Sequence, residues 1–443
     1  MQRITTQAEW IERARAVLPA GGFGNFDPGI VIREGKGARV WDENGNEYVD
    51  YLIGSGPMVL GHSHPEVVEA VVEQVRKGQT FFASNAAGIE LAEVICAAVP
   101  CAEQLRYLST GGEADMYAMR LARASTGRDK ILKFEGGYHG MSAEAQMSLA
   151  PVHLANFPGA VPDSAGIPEA VRESMLIAPF NDPESLTSLL AEHGSEVAAI
   201  IVEPLQRIIP PEPGFLELLR AEADRYGIVL IFDEIVTGFR FAWGGAQDYY
   251  GVTPDICTLG KIIGGGFPLA AIAGRADIMA HFDKSKAGPD GWLMQVGTLS
   301  GNPVASVAGL KTLEVLRREG QFEKLRANGR RLMEMASDAL DEVGVAYKIV
   351  GDEALFDVVF ADHDIHDYRD VLKADSAMNQ RFTATLREEG VFKSMGKTYP
   401  CLALTEADFA LTEAAYKKAA ARVREPRSET GPRKRSADLT VAE

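Results

Sequence analysis

Residues 228–239 read IVLIFDEIVTGF, in which five apolar residues run directly into the carboxylate of Asp233. A short run that is apolar on both faces and rich in β-branched residues is typical of a central parallel strand covered by helices. We predict a strand at Ile228–Phe232, and comparable runs occur at Lys130–Phe134, Val197–Val202 and Leu269–Ala273. Helical patterns lie between them, as at Glu113–Ala124 and Gly214–Tyr226. This alternation predicts an α/β fold with a mostly parallel sheet.

The pattern changes along the chain and predicts four segments. Residues 1–60 carry a helix and an antiparallel ribbon turned by Asn44-Gly45. Residues 61–302 form the large α/β domain, whereas residues 303–424 begin with long helical patterns and predict a smaller α+β domain. We expect residues 1–60 to pack with this carboxy-terminal domain. Residues 425–443 are polar and contain Pro, Gly and Arg, a composition typical of disorder.

Composition limits the kinds of partner. The chain has 443 residues, of which 46% are hydrophobic and 24% charged, the balance of a globular protein. A net charge of −17 argues against binding to nucleic acid, which attracts basic surfaces. No apolar stretch approaches the roughly 20 residues of a membrane span. The amino terminus also lacks the apolar core of a signal peptide. We expect neither a nucleic-acid partner nor a membrane.

The cysteines and the paired histidines point to structural roles. Four cysteines occur without a CxxC pair, which is typical of small core residues in a reducing compartment, so we expect a cytoplasmic protein. His62 and His64 have no carboxylate or thiol at a metal-ligand spacing nearby. Histidines in a turn of this kind are more often structural than metal-binding, and we predict no metal site.

Candidate chemistry lies where predicted strands end. Ligands of open α/β sheets bind at the carboxyl ends of the strands. Asp233 follows IVLIF and Glu203 follows VAAIIV, so two strands end in a carboxylate at one edge. A carboxylate there loses hydration unless its charge is compensated. A helix cap or a loop ion pair is the alternative role for Asp233.

A phosphate site is predicted where a helix begins. Residues 109–113 read STGGE and open the helical pattern. A hydroxyl, two glycines and a helix amino terminus together form an anion cradle, because backbone N–H groups are unpaired there and no side chain blocks them. An ordinary helix cap by Ser109 or Thr110 is the alternative.

One lysine occurs in an apolar setting. Residues 259–268 read LGKIIGGGFP, which places Lys261 between an apolar run and three glycines. A partly desolvated lysine has a lowered pKa and serves as a nucleophile toward a carbonyl. A solvated surface lysine is the alternative. A phosphate cradle, a buried acid and such a lysine are together what pyridoxal 5′-phosphate requires.

The motifs resemble those of the class III pyridoxal-phosphate aminotransferases of fold type I, closest to the glutamate-1-semialdehyde aminomutase branch. The resemblance covers about Arg13 to Val423 and rests on VWDENGNEYVDY, GHSHPEV, LARASTGRDKILKFEGGYHG, VEPLQ, IFDEIVTGFR, GVTPD, TLGKIIGGGFP and GTLSGNP. It implies a large domain with a mostly parallel central sheet flanked by helices. It also implies a smaller α+β domain formed by both termini, and pyridoxal 5′-phosphate as the cofactor.

The resemblance implies roles for residues around the cofactor ring. Lys261 would form the Schiff base and move the proton, and Asp233 would pair with the pyridine nitrogen. Ile235 and Tyr138 would pack on opposite faces of the ring, with His139 beside Tyr138. Glu203 would support the site from behind, and Gln206 would contact the ring hydroxyl.

The resemblance implies that residues of two subunits bind the phosphate of the cofactor. The motif Thr110-Gly111-Gly112 would bind it through the backbone N–H groups of the two glycines. By resemblance, Thr298 would reach the phosphate of the neighbouring subunit, which makes the active unit a homodimer.

Four segments depart from the aminomutase branch. Its S-G-T phosphate motif is Thr110-Gly111-Gly112 here, and Ser55 replaces an aromatic residue. Residues 21–29 lack the substrate-binding arginine, and residues 393–401 lack a glutamate. Because the catalytic residues are kept and the substrate-contacting ones differ, we expect a ping-pong aminotransferase. Its donor would be an amine or an ω- or β-amino compound, and its acceptor a keto acid or aldehyde. The alternatives are intramolecular transfer by a glutamate-1-semialdehyde 2,1-aminomutase, a pyridoxal-phosphate racemase or epimerase, and an inactive binding protein.

The segment Pro151–Ile167 is long and poor in regular structure. Loops of this kind often act as lids over sites. We expect it to cover the pocket and to be mobile without ligand.

Overall fold

The computed structural model describes residues 6–424. Its strands are β1 (Ile32–Lys36), β2 (Arg39–Asp42), β3 (Glu47–Asp50), β4 (Gln104–Leu108), β5 (Lys130–Phe134), β6 (Met175–Ala178), β7 (Val197–Val202), β8 (Val229–Glu234), β9 (Ile256–Leu259), β10 (Ala270–Gly274), β11 (Lys348–Asp352), β12 (Leu355–Val359) and β13 (Val391–Phe392). The tail predicted to be disordered, residues 425–443, lies outside the described residues.

The helices are α1 (Gln7–Val17), α2 (Pro65–Lys77), α3 (Ala86–Ala98), α4 (Gly111–Thr126), α5 (Glu169–Glu173), α6 (Pro183–His193), α7 (Phe215–Tyr226), α8 (Gly245–Tyr250), α9 (Ala276–Met279), α10 (Lys284–Gly291), α11 (Pro303–Leu316), α12 (Gln321–Val343), α13 (Tyr368–Val371), α14 (Ser376–Glu388) and α15 (Glu406–Arg424). Short 3₁₀ turns occur at Pro19–Gly21, Lys261–Gly264 and Ala280–Phe282. Within residues 6–424, no helix combines the length and the apolar character needed to cross a membrane.

The described chain divides into two compact units. One combines residues 6–64, 323–362 and 374–424, and the other combines residues 65–322 and 363–373. The sequence placed a boundary after residue 302, whereas the larger unit observed also includes α11. The reason is that α11 packs against α2 and α3, which belong to the same unit. The predicted α+β domain formed by both termini is confirmed as the smaller unit.

The larger unit is built on a seven-stranded sheet with the order β4-β10-β9-β8-β7-β5-β6. Strands β9, β8, β7, β5 and β6 pair in parallel along this order. The predicted mostly parallel sheet is therefore confirmed. Every residue of β7 and β8 is buried, as expected for strands covered on both faces. Helix α4 packs across β7 to β10, and α7 packs against β7 and β8.

Strand β10 departs from the prediction. The run Leu269–Ala273 was grouped with the parallel strands, but β10 is antiparallel to both β9 and β4. The connection from β9 to β10 contains a 3₁₀ turn and no crossover helix. A parallel return needs a crossover of a dozen or more residues, so this short connection requires the chain to reverse direction.

The smaller unit joins the two ends of the chain. Its sheet has the order β1-β2-β3-β13, and β13 pairs in parallel with β3. The predicted ribbon at Asn44-Gly45 is observed as the antiparallel pair β2–β3. The Tyr51 hydroxyl lies 2.7 Å from Thr412 Oγ1, and Arg39 Nε donates to Asp408 at 2.7 Å. In the same unit, His62 Nε2 lies 2.7 Å from Asp50 Oδ2.

A buried lysine fixes the loop that follows β5. Lys133 is 1% exposed, and its ammonium group donates to the carbonyl oxygens of Ala145 and Met147 at 2.8 and 2.7 Å. Loss of hydration lowers the pKa of Lys133 to about 7, although the charges of Asp163 and Glu203 oppose the shift. The side chain therefore connects β5 to a loop, and the burial that this requires makes the ammonium group easier to deprotonate.

This pKa predicts a pH-dependent stability. Between the folded pKa of about 7 and that of a free lysine, the unfolded chain binds more protons at Lys133, so unfolding becomes harder as pH rises. Relative to Lys133→Met, the wild type is expected to gain about 1 kcal/mol of unfolding free energy per pH unit within this window. Urea unfolding at pH 7, 8 and 9 measures the difference. Lys130→Met changes a partly exposed lysine of the same strand, and its unfolding free energy should depend on pH as that of the wild type does. If the unfolding free energy of Lys133→Met showed the same pH dependence as the wild type, the prediction would be contradicted.

Candidate active site

Lys261 begins the 3₁₀ turn directly after β9. Its backbone adopts a left-handed conformation with φ of 47°, which is uncommon for a residue other than glycine. The residue is partly buried. Desolvation lowers the pKa of the Lys261 amine, while the neighbouring charges of Asp233 and Glu203 oppose that shift. The amine thus lies in an apolar setting close to two carboxylates.

Asp233 lies inside β8, one residue beyond the predicted end of the strand, and pairs in register with Thr258 of β9. Its carboxylate is 5% exposed and has three polar neighbours. His139 Nδ1 lies 2.8 Å from Oδ2, the Ile235 N–H donates to Oδ1 at 3.1 Å, and the Thr258 hydroxyl lies 3.5 Å from Oδ1. The buried carboxylate is therefore held in one orientation.

The predicted phosphate cradle forms the start of α4. Thr110 is the N-cap, and its hydroxyl accepts from the Glu113 N–H at 3.2 Å, so the capping alternative holds for this side chain. Gly111 and Gly112 are the first two helical residues, where N–H groups have no partner within the helix. A Cβ on Gly111 would lie 3.0 Å from the Ile235 side chain, and one on Gly112 would lie 3.0 Å from the Gly140 backbone. Only glycine fits at either position without displacement of its neighbours.

Glu203 joins two loops of the site. One carboxylate oxygen accepts from the Tyr138 N–H at 3.1 Å, and the other accepts from the Arg207 N–H at 2.8 Å. The Arg207 guanidinium lies 5.3 Å from the centre of the Tyr138 ring. Gln206 is buried, and its amide donates to the Glu135 carbonyl at 2.8 Å. Burial raises the pKa of the Tyr138 hydroxyl.

Thr298 is exposed, as is Thr110, but it lies away from the elements that carry the other predicted site residues. It lies in the loop between α10 and α11, and its carbonyl accepts from the Thr80 hydroxyl at 3.4 Å. The structure of a single chain thus brings together the predicted residues on β8, α4 and the loops after β5, β7 and β9, and leaves Thr298 at the surface.

The predicted lid is held at several points, among them a contact with Arg369 and the Pro158 carbonyl, which accepts from the Ile177 N–H at 3.1 Å. Arg369 forms a bidentate salt bridge with the buried Glu135, with N···O distances of 2.7 and 3.1 Å. It also donates to the Ala155 carbonyl at 2.9 Å. Its guanidinium also lies 4.2 Å from the centre of the Phe157 ring. Residues 363–373 therefore anchor part of Pro151–Ile167 to the loop after β5. The mobility of this segment without ligand stays a prediction.

Three residues of the cluster escaped the sequence-based prediction: Asp115, Thr258 and Arg207. Thr258 lies within the apolar run of β9, and Asp115 lies within α4 four residues after Gly111. Residues four apart share a helical face, so the position of Asp115 relative to Gly111 was a usable signal. Nothing in the sequence indicated Arg207 except its position next to the predicted residues Glu203 and Gln206.

The family is settled by sequence comparison. The profile of the family described as aminotransferase class-III matches residues 24–418. The chain belongs to the class III aminotransferases. Glutamate-1-semialdehyde 2,1-aminomutase from Methanopyrus kandleri is 41% identical over 421 residues, which are 93% of this class III aminotransferase and 96% of that protein.

Solved structures agree with the family. An omega-transaminase from Sphaerobacter thermophilus is 34% identical with a TM-score of 0.89, covering 96% of this class III aminotransferase and 99% of that chain. A transaminase with pyridoxal phosphate bound is 30% identical with a TM-score of 0.87 over the same shares. The protein is a pyridoxal-phosphate-dependent transaminase of fold type I, so the predicted fold, enzyme class and cofactor are confirmed.

The residues of this class III aminotransferase fit pyridoxal 5′-phosphate. The cofactor needs an amine for its aldehyde, an acid for its ring nitrogen and N–H donors for its phosphate. Lys261 supplies a desolvated amine and Asp233 a buried, oriented carboxylate. The start of α4 supplies N–H groups at Gly111 and Gly112 with no side chain in the way.

The close approach of Gly140 to Gly112 gives a testable consequence for this class III aminotransferase. Gly140 has φ of 84°, and a Cβ there would overlap the Gly112 Cα. Gly140→Ala is expected to lower the unfolding free energy by about 1–3 kcal/mol and to raise the dissociation constant of the cofactor at least about tenfold. Cofactor titration followed by absorbance and thermal unfolding measure the two effects.

Gly127→Ala is the matched control for that substitution. Gly127 also has a positive φ, 68°, but nothing lies within 4 Å of a Cβ built there. This variant should show the backbone cost of about 1 kcal/mol alone, with unchanged cofactor affinity. Equal losses of cofactor affinity in the two variants would show that the contact with Gly112 is not the cause of the weaker cofactor binding.

Residues 393–401 of the smaller unit contain a lysine whose charge is paired. Lys393 is 3% exposed and lies 3.0 Å from Asp357, which also accepts from the Gly396 N–H at 2.7 Å and the Thr398 hydroxyl at 3.1 Å. The charge of Lys393 is therefore balanced within the class III aminotransferase itself.

Proposed function

We propose that this enzyme transfers an amino group between two separate substrates. The donor is an amine or an amino acid with an ω- or β-amino group, and the acceptor is a keto acid or an aldehyde. The observation that carries the proposal is the sequence of residues 393–401, which has no glutamate and in which Asp357 neutralises Lys393. The catalytic cluster is complete, while this substrate-related segment differs from the aminomutase branch.

Bound pyridoxal phosphate supplies an electron sink for the bond that is broken at the substrate carbon. Lys261 would hold the cofactor through its amine and, when displaced, would take the proton from the substrate carbon. Its lowered pKa favours the neutral amine that both roles require. Asp233, oriented by His139 and the Ile235 N–H, would keep the ring nitrogen protonated.

The remaining predicted residues bind and orient. Gly111 and Gly112 donate N–H groups to the phosphate where the helix dipole favours an anion, with Thr110 capping the same helix. Ile235 would pack on one face of the ring and Tyr138 on the other. Glu203 fixes the backbone of Tyr138. The Gln206 side chain would contact the ring hydroxyl.

The proposed donor class has support among the relatives. The omega-transaminase from Sphaerobacter thermophilus covers nearly the whole chain. Glutamate-1-semialdehyde 2,1-aminomutase is the second candidate, because a protein of that name is 41% identical. We place the enzyme in the cytoplasm, since all four cysteines are free thiols and three of them are buried.

A donor screen tests the proposal. Holoenzyme is mixed with single amines, β-amino acids, ω-amino acids and glutamate-1-semialdehyde, without a second carbonyl compound. Loss of the cofactor absorbance in one stoichiometric step, and recovery on addition of a keto acid or aldehyde, is the expected result for the true donor. Continuous turnover of the semialdehyde with no second carbonyl compound contradicts the proposal and supports the aminomutase. Inversion at the α-carbon with no carbonyl product supports a racemase.

We further propose a homodimer in which Thr298 contacts the phosphate of the partner subunit. Thr298 is exposed, and apolar residues flank it in the chain, with Met294, Val296 and Leu299 at 58%, 61% and 47% exposure. Phe82, close in sequence to Thr80, is 70% exposed. An apolar surface of this kind around a binding residue is typical of an interface.

Mixed dimers test the shared site. Lys261→Ala and Thr298→Ala subunits are each expected to be weakly active when alone. A mixed dimer contains one site that has both Lys261 and the Thr298 of the opposite subunit, so mixing should restore activity. Absence of any restoration in dimers shown to be mixed would mean that Thr298 acts within its own subunit or not at all.

A further inference from the structure

A second buried carboxyl group lies beside Asp233. Asp115, on α4, is 1% exposed, and the Thr258 hydroxyl donates to its Oδ1 at 2.6 Å. The same hydroxyl lies 3.5 Å from Oδ1 of Asp233. Thr258 is fully buried, so this hydroxyl lies between two carboxyl groups that water does not reach. A single hydroxyl proton cannot satisfy both.

The two carboxyl groups have unequal surroundings. Asp233 accepts the Ile235 N–H at 3.1 Å, and His139 Nδ1 lies 2.8 Å from its other carboxyl oxygen. Asp115 has the Thr258 hydroxyl as its donor. The dipole of α4 would favour an anion, but this effect fades after the first turn and Asp115 is the fifth residue of the helix. A buried pair of this kind holds one charge, which belongs on the better-supplied partner.

The other charged groups act in the same sense. Burial raises the pKa of Asp115 well above its ordinary value, and the charge of Asp233 and a hydrogen bond with it raise it further, as does the charge of Glu203. The groups around the pair are thus Asp233 on β8, Glu203 after β7, Lys261 after β9, and Tyr138 and His139 after β5.

We propose that Asp115 is protonated in the working enzyme and serves as a positioning residue that donates its proton to Asp233. The Thr258 hydroxyl donates to Asp115, and Asp115 donates to Asp233, so the pair bears one negative charge, located on Asp233. The proposal rests on the proposed role of Asp233 beside the ring nitrogen. It adds that a neutral neighbour sets how strongly Asp233 attracts the proton on that nitrogen.

Asparagine and leucine at position 115 separate the possibilities. The asparagine side chain is neutral, and like a protonated Asp115 it can accept from Thr258 and donate to Asp233. In Asp115→Asn holoenzyme, the pH midpoint of the cofactor absorbance change is expected within about 0.3 unit of wild type. Asp115→Leu removes the donor, so Asp233 attracts the proton more strongly and the midpoint should rise by about 0.5–1 unit. A fall of about one unit or more in Asp115→Asn would show that a charge was removed, and would overturn the proposal.

Infrared spectroscopy observes the proton directly. Wild-type holoenzyme near neutral pH is expected to show the C=O stretch of a protonated carboxyl group that is missing in Asp115→Asn. Identical spectra overturn the proposal. This band does not depend on turnover, so an enzyme that failed every donor and acceptor in the screen would still show it. Failure of the proposed function and failure of this inference are therefore distinguishable.

Thr258 provides a second pair of variants in case Asp115→Leu does not fold. Thr258→Val removes the hydroxyl and keeps the shape, and should raise the midpoint in the same direction as Asp115→Leu. Thr258→Ser restores the hydroxyl and should return the midpoint to the wild-type value. A structural role alone predicts that Thr258→Val lowers the thermal unfolding temperature without moving the midpoint, which would also contradict the proposal.

Discussion

Replacing Lys261 by alanine is expected to lower kcat for amino transfer by at least about 10⁴-fold. The substitution removes the desolvated amine that lies near Asp233 and Glu203, and with it both the covalent hold on the cofactor and the group that moves the proton. Steady-state kcat with the best donor of the screen measures the first loss. Retention of cofactor through gel filtration, with its absorbance spectrum, measures the second.

Lys418→Ala is the control for that experiment. Lys418 is exposed and pairs with Glu389 at the surface of the smaller unit, so its removal should leave kcat within about twofold. A Lys261→Ala enzyme that kept more than about one per cent of wild-type kcat would show that another group can move the proton at a comparable rate.

Replacing Asp233 by asparagine is expected to lower kcat by about 10³-fold. Asparagine keeps the shape of the side chain and can still contact His139 and the Ile235 N–H, but it carries no charge to keep the ring nitrogen protonated. The cofactor should then lose its ability to accept electrons from the substrate, while still being bound by Lys261 and the start of α4. The measurements are kcat and the pH dependence of the cofactor absorbance.

Asp290→Asn is the control for Asp233→Asn, because it makes the same chemical change at a carboxylate outside the candidate site. Asp290 is exposed in α10, and its replacement should leave kcat and the absorbance unchanged within error. If Asp233→Asn retained kcat within tenfold of wild type, the proposed role of Asp233 at the ring nitrogen would be falsified.

Two strands have the same bounds in the structure as in the prediction, namely Lys130–Phe134 and Val197–Val202. In Val197–Val202, burial on both faces leaves a continuous apolar run that the residue types show directly. Lys130–Phe134 was predictable although it includes the buried Lys133, because its other inner residues are apolar. The direction of β10 was not predictable in the same way. Its composition matches that of a parallel strand, and its direction follows from the short connection after β9.

The candidate site was predictable where a residue adjoins a strand or opens a helix. Asp233, Glu203, Gly111 and Lys261 all have such positions. The pairing of His139 with Asp233 joins residues 94 positions apart, and only the fold brings them together. Thr258 lies within an otherwise apolar strand, and Asp115 lies on the buried face of α4, whose other residues are apolar. At such positions packing dominates the pattern, so a single polar residue gives no clear functional signal. The substrate was less predictable, since specificity resides in irregular segments without a periodic pattern.

The backbone at Lys261 also bears on how such an enzyme changes over evolutionary time. A left-handed φ costs a residue with a Cβ about 1–2 kcal/mol, which glycine avoids and asparagine tolerates better than most. Selection for amino transfer holds a lysine in this conformation against that preference. In a descendant that kept the fold for another purpose, position 261 should therefore drift first to glycine or asparagine. A lineage showing that replacement beside an unchanged Asp233 would record when catalysis was abandoned.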